Sequence, residues 1–220
     1  MKSEKEFESL RTELVEYISP LAIKRKETKN AFLSVRREKF MPENMRGYAY
    51  ADDAIPIGEG QTISQPSTIA IMLELLEVKD GMKVLEVGSG CGYVLALLSK
   101  LVGEKVNVFG IEISKALSEK AKENLEGEKI ANFEIKNGDG AEGWKEKAPF
   151  DRVIFSCACP FIPKEVFDQL SEGGRIVAPV GDAHTQVMEI LMKVKGKPMK
   201  KSYEESLFTF VPLRGKHGFL

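Results

Sequence analysis

Between positions 83 and 93 the chain reads Lys-Val-Leu-Glu-Val-Gly-Ser-Gly-Cys-Gly-Tyr. An apolar run ends in glycines at 88, 90 and 92, and an amphipathic stretch follows. This pattern predicts a buried parallel strand, a tight turn and a helix N-terminus. Without Cβ atoms, such a turn lets a ligand lie against the backbone, and the helix that follows presents free N–H groups at its first turn. A strand of this kind needs parallel neighbours and helices to cover it, so it constrains the whole chain.

The rest of the chain supplies them. Strand signals fall at 83–87, 107–113, 132–136, 150–156 and 175–180. Helical spacing lies between them: 93–101, a helix capped by Ser114 and reaching Leu125, and a short helix opened by Pro163. Repeated strand–helix units predict an α/β fold with a mostly parallel sheet and helices on both faces. Two further strands at 186–194 and 206–211, joined by a charged, helix-poor stretch, predict an antiparallel edge and bring the sheet to seven strands. The basic run from Lys193 to Lys201 is read as the solvated turn of that hairpin.

Upstream, Ser3 and Glu6 form a capping-box pattern, and Phe7, Leu10, Leu14 and Ile18 follow at helical spacing, so a first helix is expected to end near Ser19-Pro20. A second covers 29–35. Residues 36–65 carry no sustained periodicity but are too apolar and aromatic for disorder, which marks an ordered functional loop. Pro66 opens a helix whose face is Ile69, Met72, Leu73 and Leu76. Ser64 or Gln65 therefore sits at its N-cap. Ser64 is either a simple cap or a hydroxyl beside free N–H groups, a seat for a carboxylate. One domain is expected over 1–220, with 1–80 as a substrate-side helical and loop region and 81–220 as a cofactor-binding core with the C-terminal strands.

Composition narrows the function. A net charge of −1 leaves no global field for nucleic acid or acidic membrane. The 30% charged share fits either a heat-adapted surface laced with ion pairs or a strongly solvated mesophile one. The charged N-terminus does not read as a secretory signal, and no apolar run is long enough to span a bilayer. Cys91, Cys157 and Cys159 form no paired framework, so a reduced cytoplasm is expected, with Cys157 and Cys159 as buried small hydrophobes at a strand end. His184 and His217 lie in no nucleophile motif, and no cluster has metal-ligand spacing, so no metal is expected. Trp144 reads equally as a wall of a base pocket or a loop cap.

Two acids follow the glycines in chain order. Glu112 closes the apolar run that starts at Val106, about 20 residues on, where a ribose-binding carboxylate is expected. Asp139, in Gly138-Asp139-Gly140, can accept a bond from an exocyclic amine of adenine. Turn, ribose acid and base acid in this order resemble the S-adenosylmethionine site of Rossmann-like class I methyltransferases. Ala49-Tyr50…Asp53-Ala54-Ile55-Pro56-Ile57-Gly58-Glu59-Gly60-Gln61-Thr62-Ile63-Ser64-Gln65-Pro66 is similar to the signature of protein-L-isoaspartate O-methyltransferases. Gly138-Asp139-Gly140, Ala148-Pro149-Phe150-Asp151, Gln169-Leu170…Gly173-Gly174-Arg175 and Phe210-Val211-Pro212-Leu213 follow in that family's order, over about residues 32–213. Cys91, Ser67 and Arg36 depart from the residues common there.

The resemblance implies a repair enzyme, expected as a monomer, that binds no nucleic acid and no membrane. It would move a methyl group from S-adenosylmethionine, leaving S-adenosylhomocysteine, to the free α-carboxylate of L-isoaspartyl residues in peptides and proteins. Ser64 is then the catalytic residue. Glu86, Gly88, Ser89, Gly90, Gly92, Glu112, Asp139 and Gly140 hold the cofactor. Ile57, Gly58, Gln61, Thr62, Val211 and Leu213 line the peptide groove. A carboxylate is ionised at neutral pH and needs no general base, so catalysis comes from alignment and exclusion of water. The competing readings are another methyltransferase acting on a small molecule or RNA, a nicotinamide oxidoreductase, and a binding module. RNA is disfavoured because the chain has no basic face or aromatic-rich surface, the glycine spacing is wrong for the oxidoreductase, and an intact Ser64 segment opposes the binding module.

Overall fold

A computed structural model describes residues 2–105 and 107–219; Val106, counted above in the run leading to Glu112, lies outside them. The chain begins with helices α1 (Glu4–Ala22) and α2 (Lys26–Ser34), followed by two 3₁₀ segments and a small hairpin, β1 (Ile55–Gly58) and β2 (Gln61–Ile63). Helix α3 (Pro66–Leu76) leads into the main sheet. There follow β3 (Val84–Val87), α4 (Tyr93–Val102), β4 (Val108–Glu112), α5 (Lys115–Gly127), β5 (Phe133–Asn137), β6 (Phe150–Phe155), α6 (Lys164–Asp168), β7 (Leu170–Gly181), β8 (Gln186–Val194) and β9 (Lys197–Phe208).

The seven strands lie in the order β5-β4-β3-β6-β7-β8-β9. The pairs from β5 to β7 are parallel, and β8 and β9 are antiparallel. The expected doubly covered α/β sheet with an antiparallel edge is therefore present. Alternate residues separate its two faces. Val84, Val108, Ile154 and Val177 meet a core built from α1 to α5. Leu85, Val87, Phe109, Phe155 and Ile176 meet a smaller core under α6. The covering is uneven, with five helices against one, because the connections on the α6 side are 3₁₀ turns and extended segments too short for full helices.

Several local expectations are corrected. Helix α1 runs through Pro20 to Ala22; in the last turn proline removes only one helical bond, and the Ile23 N–H still closes on the Ser19 carbonyl at 3.2 Å. The loop region contains the β1–β2 hairpin, too short to show alternation. The last strand is Lys197–Phe208, not 206–211. The turn takes only Lys195 and Gly196, both at positive φ (52° and 73°), as a two-residue hairpin turn requires. Lys197, Lys200 and Lys201 are strand residues on an exposed edge, where charge opposes pairing with another sheet.

Strand β3 is the hinge of the topology. One connection leaves it towards β4 and β5, and the other neighbour is β6. The gap at their carboxyl ends is the switch point where ligands bind in open α/β sheets.

Candidate active site

The register places Val87 beside Ile111 on one side and Phe155 on the other. The turn at Gly88 therefore lies between Glu112 and Ser156. Glycines 88, 90 and 92 have φ of 80°, 51° and 87°, conformations that other residues adopt only with strain. The turn is stapled to β4: the Gly88 and Ser89 N–H groups donate to the Ile111 carbonyl at 2.8 and 3.1 Å. The Gly90 N–H donates to Glu112 Oε2 at 2.8 Å, and the Ser114 N–H to Oε1 at 2.9 Å. Gly110 on β4 permits this close approach, since a Cβ there would lie 2.8 Å from Leu95 Cδ1 and 3.2 Å from Ser89 Cβ.

Above the turn is a cleft of about 570 Å³, counting the part open to solvent. Val87, Ile111, Ile113, Cys157, Val211 and Leu213 give it apolar walls, while Gly88, Gly90, Glu112, Ser114 and Gly140 bring polar backbone and one carboxylate. Gln61 and Thr62 of β2 and Arg214 close it from the far side. A second cavity of about 300 Å³ adjoins it, lined by Ile57, Ser64, Glu86, Ser89, Cys91 and Tyr93. The two share Thr62, Gly88, Gly90 and Ser156 as a common wall.

Glu86 is the unusual group here, with 1% of its surface exposed. Its Oε1 accepts the Ser156 hydroxyl at 2.6 Å, and its Oε2 has no partner among the described residues. Burial pushes its carboxyl up to about 8, opposed by the Ser156 hydrogen bond and reinforced by the nearby Glu112 charge. At neutral pH it is mostly protonated. The Ser89 hydroxyl beside it is also buried without a partner. Both polar atoms border the second cavity and are available to a ligand there.

The other predicted residues fall as follows. Ser64 is half-buried on the second cavity. The N-cap position is Gln65, whose side chain makes no cap bond; the Ser67 N–H is instead capped by Asp52 Oδ1 at 2.8 Å. Gly140 lines the cleft, but the Asp139 carboxylate accepts from the Ala141 N–H at 2.9 Å and the Lys216 N–H at 2.7 Å. Gly92 faces away from the cleft: a Cβ on it would meet Ala121 and Leu125 of α5, so its role is close packing between helices. Gly58 sits exposed in the hairpin, paired with Gln61. Trp144, half-buried, packs edge-on against Phe109 at the margin of the smaller core, with centroids 5.8 Å apart, and does not line the cleft. Cys157 is on the cleft wall, and burial holds its thiol well above the ordinary range. Cys159 is buried against the Pro179 carbonyl. His217 pairs with Glu165 at 3.1 Å, outside the cleft.

Sequence reasoning missed Ser156, Asp52 and Arg214. Ser156 had a weak signal, a polar residue ending an apolar strand. The other two had none.

The comparisons decide the family. The model of the protein-L-isoaspartate (D-aspartate) O-methyltransferases matches residues 9–218. The chain belongs to this family. A protein-L-isoaspartate O-methyltransferase from Methanothrix thermoacetophila is 41% identical over 219 residues, 100% of this chain and 98% of that one. A solved protein-L-isoaspartate O-methyltransferase superposes with a TM-score of 0.83 at 29% identity, over 94% of this chain and 66% of that one. A Plasmodium falciparum structure of the same description, in complex with S-adenosyl-L-homocysteine, gives 0.79 at 27% identity, over 94% and 98%. Family and fold expectations are thus both met, and the oxidoreductase and binding-module readings are not favoured.

Proposed function

We propose that the protein transfers a methyl group from S-adenosylmethionine to the free α-carboxylate of L-isoaspartyl residues in damaged proteins and peptides. One observation carries the reading. The cleft over the glycine turn and the cavity beside Ser64 meet at a single wall, so a donor in one can face an acceptor in the other.

The residues present fit the cofactor. Gly88 and Gly90 admit backbone contact, Glu112 retains lone pairs for ribose hydroxyls beyond its two backbone bonds, and Gly140 with Asp139 borders the base. Glu86 and Ser89 offer orphaned polar atoms to the amino-acid end. When bound, S-adenosylmethionine supplies an electrophilic methyl group on a sulfonium. Every other contribution is the chain's. The Ser64 hydroxyl would hold one oxygen of the substrate carboxylate and orient the other. Ile57, Gly58, Gln61 and Thr62 on one side, with Val211 and Leu213 on the other, would flank the peptide as an added strand. Apolar walls would strip water from the carboxylate and raise its reactivity. The Cys157 thiol, kept protonated by burial, does not compete as a nucleophile. The backbone nitrogen of the residue after the isoaspartyl would then attack the ester carbonyl and expel methanol, closing a succinimide whose hydrolysis opens a route back to aspartate.

Residues 1–80 would form the substrate side and 81–220 the cofactor side. Three free, buried cysteines support work in the reducing cytoplasm, and the lysine-bearing edge of β9 supports a monomer. No described helix is long and apolar enough to cross a membrane. The test is transfer of labelled methyl to an isoaspartyl peptide beside its aspartyl twin. Label is expected on the first alone. Equal labelling, or none, refutes the reading.

A further inference from the structure

Asp52 was assigned no role by the sequence, yet it holds the segment that follows Ser64 through two bonds. Its Oδ1 accepts the Ser67 N–H at 2.8 Å, and its Oδ2 accepts the Gln65 side-chain amide at 3.1 Å. Ser64 is thereby gripped from its C-terminal side. On its N-terminal side Ile63 is buried and paired with Ile55 across the hairpin. Helix α3 has no cap from its own N-cap side chain, so Asp52 does this work from 15 residues away.

The loop that presents Asp52 is itself anchored. Arg37 has no exposed surface. Its guanidinium lies over the Tyr93 ring, 5.1 Å from the centroid, and donates to the Asp53 carbonyl at 3.4 Å. Tyr93 begins α4 and lines the Ser64 cavity. A chain of contacts therefore runs from the glycine turn through Tyr93, Arg37 and the 52–53 loop to the far side of Ser64. It links the glycine-turn side of the cavity to the segment that carries Ser64.

We propose that Asp52 is the positioning residue of methyl transfer, fixing the Ser64 hydroxyl relative to the glycine turn through its bonds to Gln65 and Ser67. The proposal rests on the reading of Ser64 as the carboxylate seat. Its physical basis is that in-line displacement depends steeply on alignment, and a misplacement of about 1 Å costs about 100-fold in rate. Asp52 lines neither cavity, so its effect would pass through Ser64.

Asp52→Ala removes both contacts, whereas Asp52→Asn can keep them: its oxygen accepts from the Ser67 N–H, and its amide donates to the Gln65 side-chain oxygen once that amide flips. Turnover at saturating peptide is expected to fall about tenfold in Asp52→Ala, with S-adenosylhomocysteine affinity by calorimetry held within about twofold. Asp52→Asn should stay within about threefold of wild type. In a Ser64→Ala background, Asp52→Ala should add less than about twofold, because residues that act as a unit are not additive. A loss that multiplies with that of Ser64→Ala overturns the inference, as does a parallel fall in cofactor affinity or an Asp52→Asn variant as slow as Asp52→Ala. Undiminished turnover in Ser64→Ala alone overturns the carboxylate seat, a different result from any of these.

Discussion

The Glu112 carboxylate accepts the Gly90 N–H at 2.8 Å, so the acid ending β4 closes the turn that follows β3. The same carboxylate takes the Ser114 N–H and fixes the start of α5. Glu112→Ala leaves two donors at the cleft without their partner. It is expected to lower stability by about 1–3 kcal/mol in urea denaturation and to weaken S-adenosylhomocysteine binding at least tenfold in calorimetry. Full affinity in this variant would remove the acid from the cofactor site.

Ser64 lies on the cavity next to the turn and not in the cleft itself. Ser64→Ala should therefore keep cofactor affinity and lose about 10- to 100-fold in turnover, the worth of a hydrogen bond to a charged group. The check is a paired measurement of transfer rate and S-adenosylhomocysteine binding.

Asp139 joins two segments, taking the Ala141 and Lys216 N–H groups. Asp139→Ala should weaken cofactor binding by about tenfold and loosen the 214–218 segment, seen as faster tryptic cleavage at Lys216. Unchanged affinity would place the adenine elsewhere.

Glu86 gives a pH signature. Its carboxyl is raised from 4.5 to about 8 by burial, so the folded protein keeps a proton that the unfolded chain has lost. Stability from this group is complete below about pH 4.5 and declines as pH rises to about 8, by at most about 1.4 kcal/mol per unit. Glu86→Gln should remove this decline. In denaturant titrations at pH 5 and pH 9, the variant should gain on wild type at the higher pH. A constant difference would show that Glu86 is ionised throughout.

Gly92 has φ of 87°, and a Cβ there would lie 3.2 Å from Ala121 Cβ and 3.3 Å from Leu125 Cδ1. Gly92→Ala combines left-handed strain with crowding, for a loss of about 2–4 kcal/mol. Gly47→Ala, where nothing lies within 4 Å of the added atom, should stay within about 0.5 kcal/mol. Thermal melts of both variants provide the comparison.

The order of strands and helices, the glycine turn and the acid after β4 could be read from residues alone. Each depends on periodicity or spacing within a few turns of chain, which local sterics and burial impose on any such segment. Glu86 shows the limit. Its place in the strand was evident, but its protonation depends on burial in the folded sheet, with smaller effects from Ser156 and Glu112, brought beside it by β6 and β4. Asp52 shows it more strongly: its partners Gln65 and Ser67 follow no helical or strand period. Only the packing of the 49–54 loop onto Arg37 and the start of α3 brings them together, and the energy that selects this arrangement comes from contacts distant in the chain. The sequence by itself determined a parallel sheet with a glycine turn at its switch point. The tertiary structure decided which polar groups reach that turn, because hydrogen-bond partners are assigned by folded distance and not by position along the chain.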